Sequence, residues 1–129
     1  SAAGVKAPKQ HALDGSDLKR LLQGRADRQD RDDFLMHFPH EHRGSYFTTY
    51  RKGDWKLIYY YHPDTDGVPS CRLFHLKEDP YEHQDRAAER PDIVKRLCRQ
   101  MKKRLEAERA LYPVDKDGKT LFPVVLSPE

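Results

Sequence analysis

Apolar and aromatic residues alternate with polar ones through the middle of the chain, with the period of two that is typical of half-buried β-strands. The alternation is clearest near 55–61, where a tryptophan, a leucine and two tyrosines would share one face of a strand. Aromatic and β-branched residues suit such a pleated surface. On this basis the sequence predicts four strands, near 34–38, 46–52, 55–61 and 71–77.

Short turns separate the last three of these predicted strands. Gly53 lies at the first turn, and an Asp66-Gly67 pair flanked by prolines lies in the second. Strands joined by such short connections pair antiparallel, in the order of the sequence. Pro39 stops the apolar run near 34–38, which we expect to be the fourth strand of this meander.

The hydrophobic period changes to that of a helix near 91–111. Pro91 suits the first position of a helix, and Pro113 ends the pattern. Between them, apolar residues recur at helical spacing opposite a face rich in lysine and arginine: Ile93, Val94, Leu97, Met101 and Leu105. The predicted fold class is therefore α+β, a four-stranded antiparallel sheet packed against one long C-terminal amphipathic helix.

The two ends of the chain carry weaker patterns. Residues 1–12 are expected to form a flexible lead-in, followed by one domain over 13–129. In that domain, the pattern of residues 16–22 predicts a short helical turn, which ends at Gly24. The charged run Arg25–Asp33 predicts a solvated loop. A short apolar tail, Leu121–Leu126, is a candidate to cover a sheet edge.

Composition narrows the classes of function. The chain has 129 residues and 35% charged residues, enough for one domain with a modest core. A net charge of +3 is too weak to indicate nucleic-acid binding, and no apolar run is long enough to predict a membrane span. The start at Ser1, without methionine or signal peptide, looks like that of an excised fragment, so it indicates no cellular location.

Three histidines form the first candidate site. His37, His40 and His42 lie within six residues, next to Glu41, and imidazoles at such spacing can bind zinc or nickel. Pro39 interrupts the segment, however, and no second ligand group lies at a fixed spacing. We therefore favour two surface histidines and one histidine packed against the sheet over a metal site.

The two cysteines form the second candidate. Cys71 and Cys98 are too few for a disulfide framework, and although they could pair, two buried structural thiols are the preferred interpretation. Neither has a neighbouring base that would activate it as a nucleophile; His75, four residues beyond Cys71 on a strand, is too far away. The sequence also lacks a Gly-x-Ser-x-Gly elbow and a glycine-rich phosphate loop, so we predict no catalytic residue in this chain.

Four segments together carry a resemblance to a known family. Residues 14–24 (DGSDLKRLLQG), 37–40 (HFPH), 50–58 (YRKGDWKLI) and 72–82 (RLFHLKEDPYE) follow one another in this order. They resemble the motifs D-G-x-S-L-x-P-L-L-x-G, H-[FY]-P-H, I-R-x-G-D-[WY]-K-L-I and x-L-Y-x-L-x-x-D-P-x-E. These motifs mark the C-terminal subdomain of type I sulfatases similar to arylsulfatases and N-acetylhexosamine sulfatases. Asp17 and Arg20 depart from the family pattern without changing the expected fold.

The resemblance implies a partner and cofactors that lie outside this chain. In the family, a large N-terminal α/β domain supplies a formylglycine nucleophile, made from the motif [CS]-x-[PA]-x-R, and carboxylates that bind calcium. Neither Cys71 nor Cys98 lies in that motif. The expected function is therefore that of an accessory domain of a sulfatase, a hydrolase of aryl or carbohydrate sulfate esters, inactive on its own. A periplasmic, secreted or lysosomal location is implied only by the family.

Within such an enzyme, the resemblance implies two roles for this chain. One is support of the catalytic domain, through a sheet edge and the face of Trp55, with an exposed apolar patch where the domains meet. The other is a wall of the substrate pocket, with His40, and next His37, as candidate substrate-binding residues. Two alternatives stay open: a free-standing module that binds sulfated glycans, and a metal-binding domain formed by the histidine cluster.

Overall fold

The chain folds as two compact units, Ser1–Asp32 and Asp33–Glu129. The computed structural model describes residue 4 and residues 19–24, 33–42, 45–61 and 70–124. The first unit contains a short helix, α1 (Lys19–Leu22), after which Gly24 adopts a positive φ of 66°. The second unit contains β1 (Asp33–His42), β2 (Ser45–Lys52), β3 (Trp55–Tyr60), β4 (Cys71–His75) and α2 (Pro91–Ala107).

The four strands form one antiparallel sheet in the order β1-β2-β3-β4. Each strand pairs with its neighbour in the sequence, which confirms the predicted meander and the α+β class. Gly53 makes the tight turn between β2 and β3 with a φ of 58°, a conformation that costs glycine little. On the outer side of β4, the backbone of Leu73 bonds to Asp85 and Arg86, so a loop covers this sheet edge.

The helix α2 lies across one face of the sheet and closes the core. The strands contribute Leu57 and Leu73, which are fully buried, together with Tyr50, Tyr59 and Cys71. The helix contributes the predicted apolar stripe and also Cys98: Ile93, Val94, Leu97, Cys98, Met101 and Leu105. The twelve residues of this cluster form one continuous core, as expected for a sheet packed on a single amphipathic helix.

Strand β1 continues past Pro39 to His42, beyond the apolar run near 34–38. The continuation is possible because β1 is the edge of the sheet, where a proline removes no ladder donor that a neighbour needs. The pairing with β2 is irregular there, since the register shifts between Phe38 and His42. The proline therefore marks a distortion in the strand and not its end.

The helix α2 ends at Ala107, earlier than the end predicted from the sequence near residue 111. It ends there because the backbone turns left-handed at Arg109, with a φ of 52°. The Ala110 amide donates to the Leu105 carbonyl at 3.0 Å, and the Arg109 amide to the Glu106 carbonyl at 3.1 Å. These two bonds make a Schellman motif, which satisfies carbonyls that the helix leaves open. Pro113 follows as a buried residue outside the helix.

The C-terminal tail packs on the helix side of the sheet. The Val124 amide donates to the Tyr59 hydroxyl at 3.0 Å. Because Tyr59 lies on the central strand β3, the tail through residue 124 reaches the face of the sheet and not an edge. The tail beyond 124 lies outside the described residues. So do the lead-in apart from residue 4, the charged run 25–32, and the turn at 62–69.

Candidate functional site

His37 lies on the helix side of β1, and both of its ring nitrogens have partners. Nδ1 is 2.7 Å from the Thr48 hydroxyl, and Nε2 is 2.6 Å from the Leu111 carbonyl. The ring also makes edge contacts with Tyr61 and Tyr112, each with centroids 6.0 Å apart. His37 thus joins the edge strand to the segment that follows α2.

These contacts fix the proton arrangement of a neutral His37 ring. A carbonyl only accepts, so Nε2 carries the hydrogen and Nδ1 accepts from Thr48. The Thr48 hydroxyl in turn accepts from the Tyr61 hydroxyl, 2.8 Å away in the buried core. Burial raises the pKa of Tyr61, which keeps its hydroxyl protonated as the donor at the start of this chain. In this arrangement neither nitrogen of His37 is available to a ligand.

His40 has a different environment. It is exposed and lies in the irregular part of the edge strand, directly after Pro39. A side chain at an edge-strand distortion can be directed away from the sheet, which suits contact with another domain or a small molecule. Of the two candidate substrate-binding histidines, the structure therefore leaves His40 accessible and engages His37 in the fold.

The histidine cluster does not form a metal site among the described residues. No group of three histidine, cysteine, aspartate or glutamate side chains lies close enough in that part of the chain to hold an ion. The side chains of Glu41 and His42, which complete the cluster in the sequence, lie outside the described residues.

Both cysteines are buried, and no disulfide bond joins them. Burial raises the pKa of the Cys71 thiol to about 11, and the nearby Asp85 carboxylate adds to this rise. At neutral pH the thiol is therefore protonated, and the thiolate is the form that attacks electrophiles. Cys71 has the environment of a structural residue.

The family-like segments of β3 and of the turn after β4 meet in an ion pair. Lys56 Nζ lies 2.7 Å from both carboxylate oxygens of Glu82. Glu82 has a φ of 59°, so the turn holds a strained backbone where it presents this carboxylate. Asp79 accepts a hydrogen bond from the Gln84 amide at 2.8 Å, and the backbone N–H groups of Gln84 and His83 lower the pKa of Asp79. These charged residues thus shape a turn.

Trp55 packs on the helix side of the sheet, where it is enclosed by polar side chains. The His75 ring meets it edge-on with centroids 4.5 Å apart, and the Arg90 guanidinium lies 5.6 Å from its ring centre. Its face is therefore partly covered within the domain. The expectation that the Trp55 face docks another domain stays a prediction.

The opposite face of the sheet carries an aromatic row across three strands. Phe38 stacks on Phe47 at 5.2 Å, and Phe47 meets Tyr60 at 6.3 Å. Along β1 the same face continues into Phe34 and Met36, which are 60% and 37% exposed. We call these five residues the apolar face. It fulfils the expectation of an exposed apolar patch.

Comparison with known protein families gives a match over most of the chain. The family model described as "N-sulphoglucosamine sulphohydrolase, C-terminal" matches residues 1–111, which include β1 to β4 and all of α2. This chain belongs to that family. The resemblance to the C-terminal subdomain of sulfatases is thereby confirmed, and neither a free-standing module nor a metal-binding domain is favoured.

Solved structures share the fold of this sulfatase C-terminal domain. One, BT4656 in complex with its substrate D-glucosamine-2-N,6-O-disulfate, has a TM-score of 0.61 and 24% identity over 83% of this chain and 22% of its own. Another, a putative sulfatase from Bacteroides thetaiotaomicron, has a TM-score of 0.65 and 17% identity over 98% of this chain and 28% of its own. The domain thus spans about a quarter of the length of these proteins. None of the curated protein sequences compared with it matches.

The site residues that sequence analysis missed are those whose role depends on tertiary contacts. Nothing in the spacing of Thr48, Tyr61 and Leu111 indicates that they meet at His37. The Lys56–Glu82 pair likewise joins residues that lie far apart in the sequence. Among the described residues, no helix of the domain is long and apolar enough to cross a membrane.

Proposed function

We propose that this chain is the C-terminal accessory domain of a larger sulfatase, a sulfuric ester hydrolase. The observation that carries the proposal is the family match over residues 1–111. The domain's own contribution is support of an N-terminal catalytic α/β domain and a part of the wall around its substrate.

The chemistry of the parent enzyme belongs to that other domain. The family implies a formylglycine nucleophile that attacks sulfur and a calcium ion that stabilises charge on the sulfate oxygens. The sequence of this chain has no cysteine in the [CS]-x-[PA]-x-R motif, and its described residues bring together no set of three calcium ligands. We therefore assign no step of the hydrolysis to residues of this chain.

The apolar face is the proposed contact with the catalytic domain. Its exposed members, Phe34 and Met36, lie beside the stacked rings of Phe38 and Phe47, so the apolar area is continuous. A contiguous apolar surface of this kind is typical of a contact between domains. The helix α2 covers the other side of the sheet, so docking at this face would bury the sheet on both sides.

His40 is the proposed contact with the substrate. It is exposed, it lies at an edge-strand distortion, and its imidazole can donate a hydrogen bond to a sulfate or hydroxyl oxygen. His37 is the weaker candidate because Thr48 and the Leu111 carbonyl already engage its ring. The substrate class we propose is a sulfated carbohydrate, since a protein of the same fold was solved with a sulfated glucosamine.

The test is steady-state kinetics of the parent enzyme on glucosamine 2-N,6-O-disulfate. We expect His40→Ala to raise KM about tenfold, the effect of losing one hydrogen bond to a charged group, with kcat within about twofold. His83→Ala, another exposed histidine, is the matched control and should change neither constant. Unchanged KM in His40→Ala would remove His40 from the pocket, and a parent that cleaves no sulfate ester would contradict the proposed function itself.

A further inference from the structure

A groove opens between the sheet and the second half of α2, on the side away from the apolar face. Its volume is about 310 Å³. Strand residues form one wall and helix residues the other: Asp33, Tyr50, Lys52, Gln100, Lys103, Arg104 and Ala107. All of these residues belong to the second compact unit, so the groove is a feature of one folded body.

The charge of the groove is positive. Lys52, Lys103 and Arg104 contribute three cationic groups, and Asp33 is the one acidic residue in its lining. The Tyr50 hydroxyl donates to Asp33 at 3.0 Å, and Lys52 lies opposite Asp33 in the pairing of β1 with β2. Lys103 and Arg104 remain on the helix wall, with Arg104 also 3.0 Å from the exposed Glu108.

Tyr50 supplies a neutral donor at the sheet wall. Burial, together with the hydrogen bond to Asp33 and the charge of Asp33, raises the pKa of Tyr50 to about 12 against the opposing effect of Arg104. The phenol therefore stays protonated, and it adds no negative charge to the groove.

The helix wall carries two polar atoms that lack partners. Gln100 Oε1 and Arg104 Nε are both enclosed and have no hydrogen bond within the described part of the chain. Buried polar groups are nearly always satisfied, so these two are unusual. A bound molecule that reaches Gln100 Oε1 or Arg104 Nε would supply the missing hydrogen bond, while another nitrogen of the Arg104 guanidinium stays paired with Glu108.

We propose that this groove binds a small molecule through a tetrahedral oxyanion, a sulfate ester or a phosphate. Lys103 and Arg104 meet the charged oxygens, and the Arg104 guanidinium supplies the directional donor that suits such a group. Gln100 faces the remainder of the molecule with an amide that both donates and accepts, which fits a hydroxyl-bearing compound. The site is separate from the His40 edge, and the proposal does not depend on the activity of the parent enzyme.

The test is a titration of the ¹⁵N-labelled 129-residue chain followed by NMR at constant ionic strength. Sodium sulfate, sodium phosphate, glucosamine 6-sulfate and unsulfated glucosamine are added separately, with sodium chloride as the salt reference. We expect saturable shifts of the Gln100 side-chain amide and the Arg104 Nε–H with sulfate, phosphate and glucosamine 6-sulfate. Tighter binding of glucosamine 6-sulfate than of free sulfate would identify a sulfated sugar as the source of the oxyanion, and the reverse order would identify the free ion.

Two lysine variants distinguish binding in the groove from general screening of charge, and a third variant tests Gln100. Lys103→Gln should raise the dissociation constant about two- to fivefold, while Lys116→Gln, an exposed lysine outside the groove, should leave it unchanged. Gln100→Glu places a negative charge in the groove and should weaken binding about tenfold or more. The backbone spectrum shows whether each variant is folded. The proposal would be overturned by shifts that do not saturate, or by shifts that sodium chloride reproduces. It would also be overturned if both lysine variants altered the shifts equally.

Discussion

His37 connects three parts of the fold through one ring. Its Nδ1 accepts from Thr48, which is fully buried, and its Nε2 donates to the Leu111 carbonyl beyond the end of α2. The edge strand β1 has only one neighbouring strand, so this ring supplies a second attachment for it. A histidine with these contacts contributes primarily to the stability of the fold and only secondarily to ligand binding.

We expect His37→Ala to lower the free energy of unfolding by about 1–3 kcal/mol, the effect of losing two hydrogen bonds and leaving Thr48 with one partner fewer. His40→Ala is the matched control and should stay within about 0.5 kcal/mol, because His40 is exposed. Urea unfolding of both variants measures the difference. Equal stability of the two variants would contradict the role assigned to His37.

Cys71 makes stability depend on alkaline pH. Burial raises the pKa of its thiol to about 11, whereas an unfolded cysteine titrates near 8.5. Between these values the folded chain binds more protons than the unfolded chain, so stability is fully present below about pH 8.5 and falls as pH rises. We expect a loss of about 3 kcal/mol by pH 11 that Cys71→Ala lacks.

The measurement is urea unfolding of wild type and Cys71→Ala at several pH values from 7 to 11. Other groups titrate in both proteins, so the difference between the two curves isolates the thiol. A constant difference across this range would show that Cys71 is not as buried in the folded chain as the structure indicates.

At the scale of elements, the end of α2 is determined by Arg109. A non-glycine residue with a φ of 52° occupies the position at which glycine most often ends a helix. The left-handed conformation costs an ordinary residue about 1 kcal/mol more than it costs glycine. The Schellman bonds at Leu105 and Glu106 hold the backbone in it nonetheless.

We expect Arg109→Gly to raise the free energy of unfolding by about 0.5–1 kcal/mol, since it removes this strain. Arg99→Gly removes the same charge from an exposed position inside the helix and should lower stability by about 1 kcal/mol. Thermal unfolding of the two variants should therefore shift in opposite directions. A loss of stability in both would mean that Arg109 makes contacts that outweigh its backbone strain.

The elements differ in how far the sequence predicts them. The alternation around Leu57 and the stripe from Ile93 to Leu105 predict β3 and α2 because hydrophobic periodicity reports directly on burial. The extent of β1 beyond Pro39 depends on its place at the sheet edge, and the end of α2 depends on a left-handed residue without glycine. Neither property can be predicted from the local sequence pattern.

The candidate sites also differ in how far the sequence predicts them. Histidines near a proline identify a segment worth testing, and exposure then separates His40 from His37. The groove around Gln100 and Arg104 joins residues from two strands and a helix that lie far apart in the sequence. Only the packing of α2 on the sheet brings them together, so no local pattern could have predicted it.

At the scale of the whole molecule, α2 closes one face of the sheet, and the apolar face on the other side keeps Phe34 and Met36 exposed. It matches a sulfatase C-terminal family over most of its length and spans 22% and 28% of two solved chains with the same fold. The sequence has no formylglycine motif. These features together support the proposal that the chain serves a catalytic domain, which would carry out the hydrolysis of sulfate esters.

The most direct test of this central claim is a sulfate-release assay on the 129-residue chain and on the full-length parent after formylglycine maturation. Glucosamine 2-N,6-O-disulfate and a chromogenic aryl sulfate serve as substrates, with calcium present. The account predicts turnover by the parent and none above background by the chain alone. Turnover by the chain alone would contradict it, and would place the nucleophile among residues of this domain.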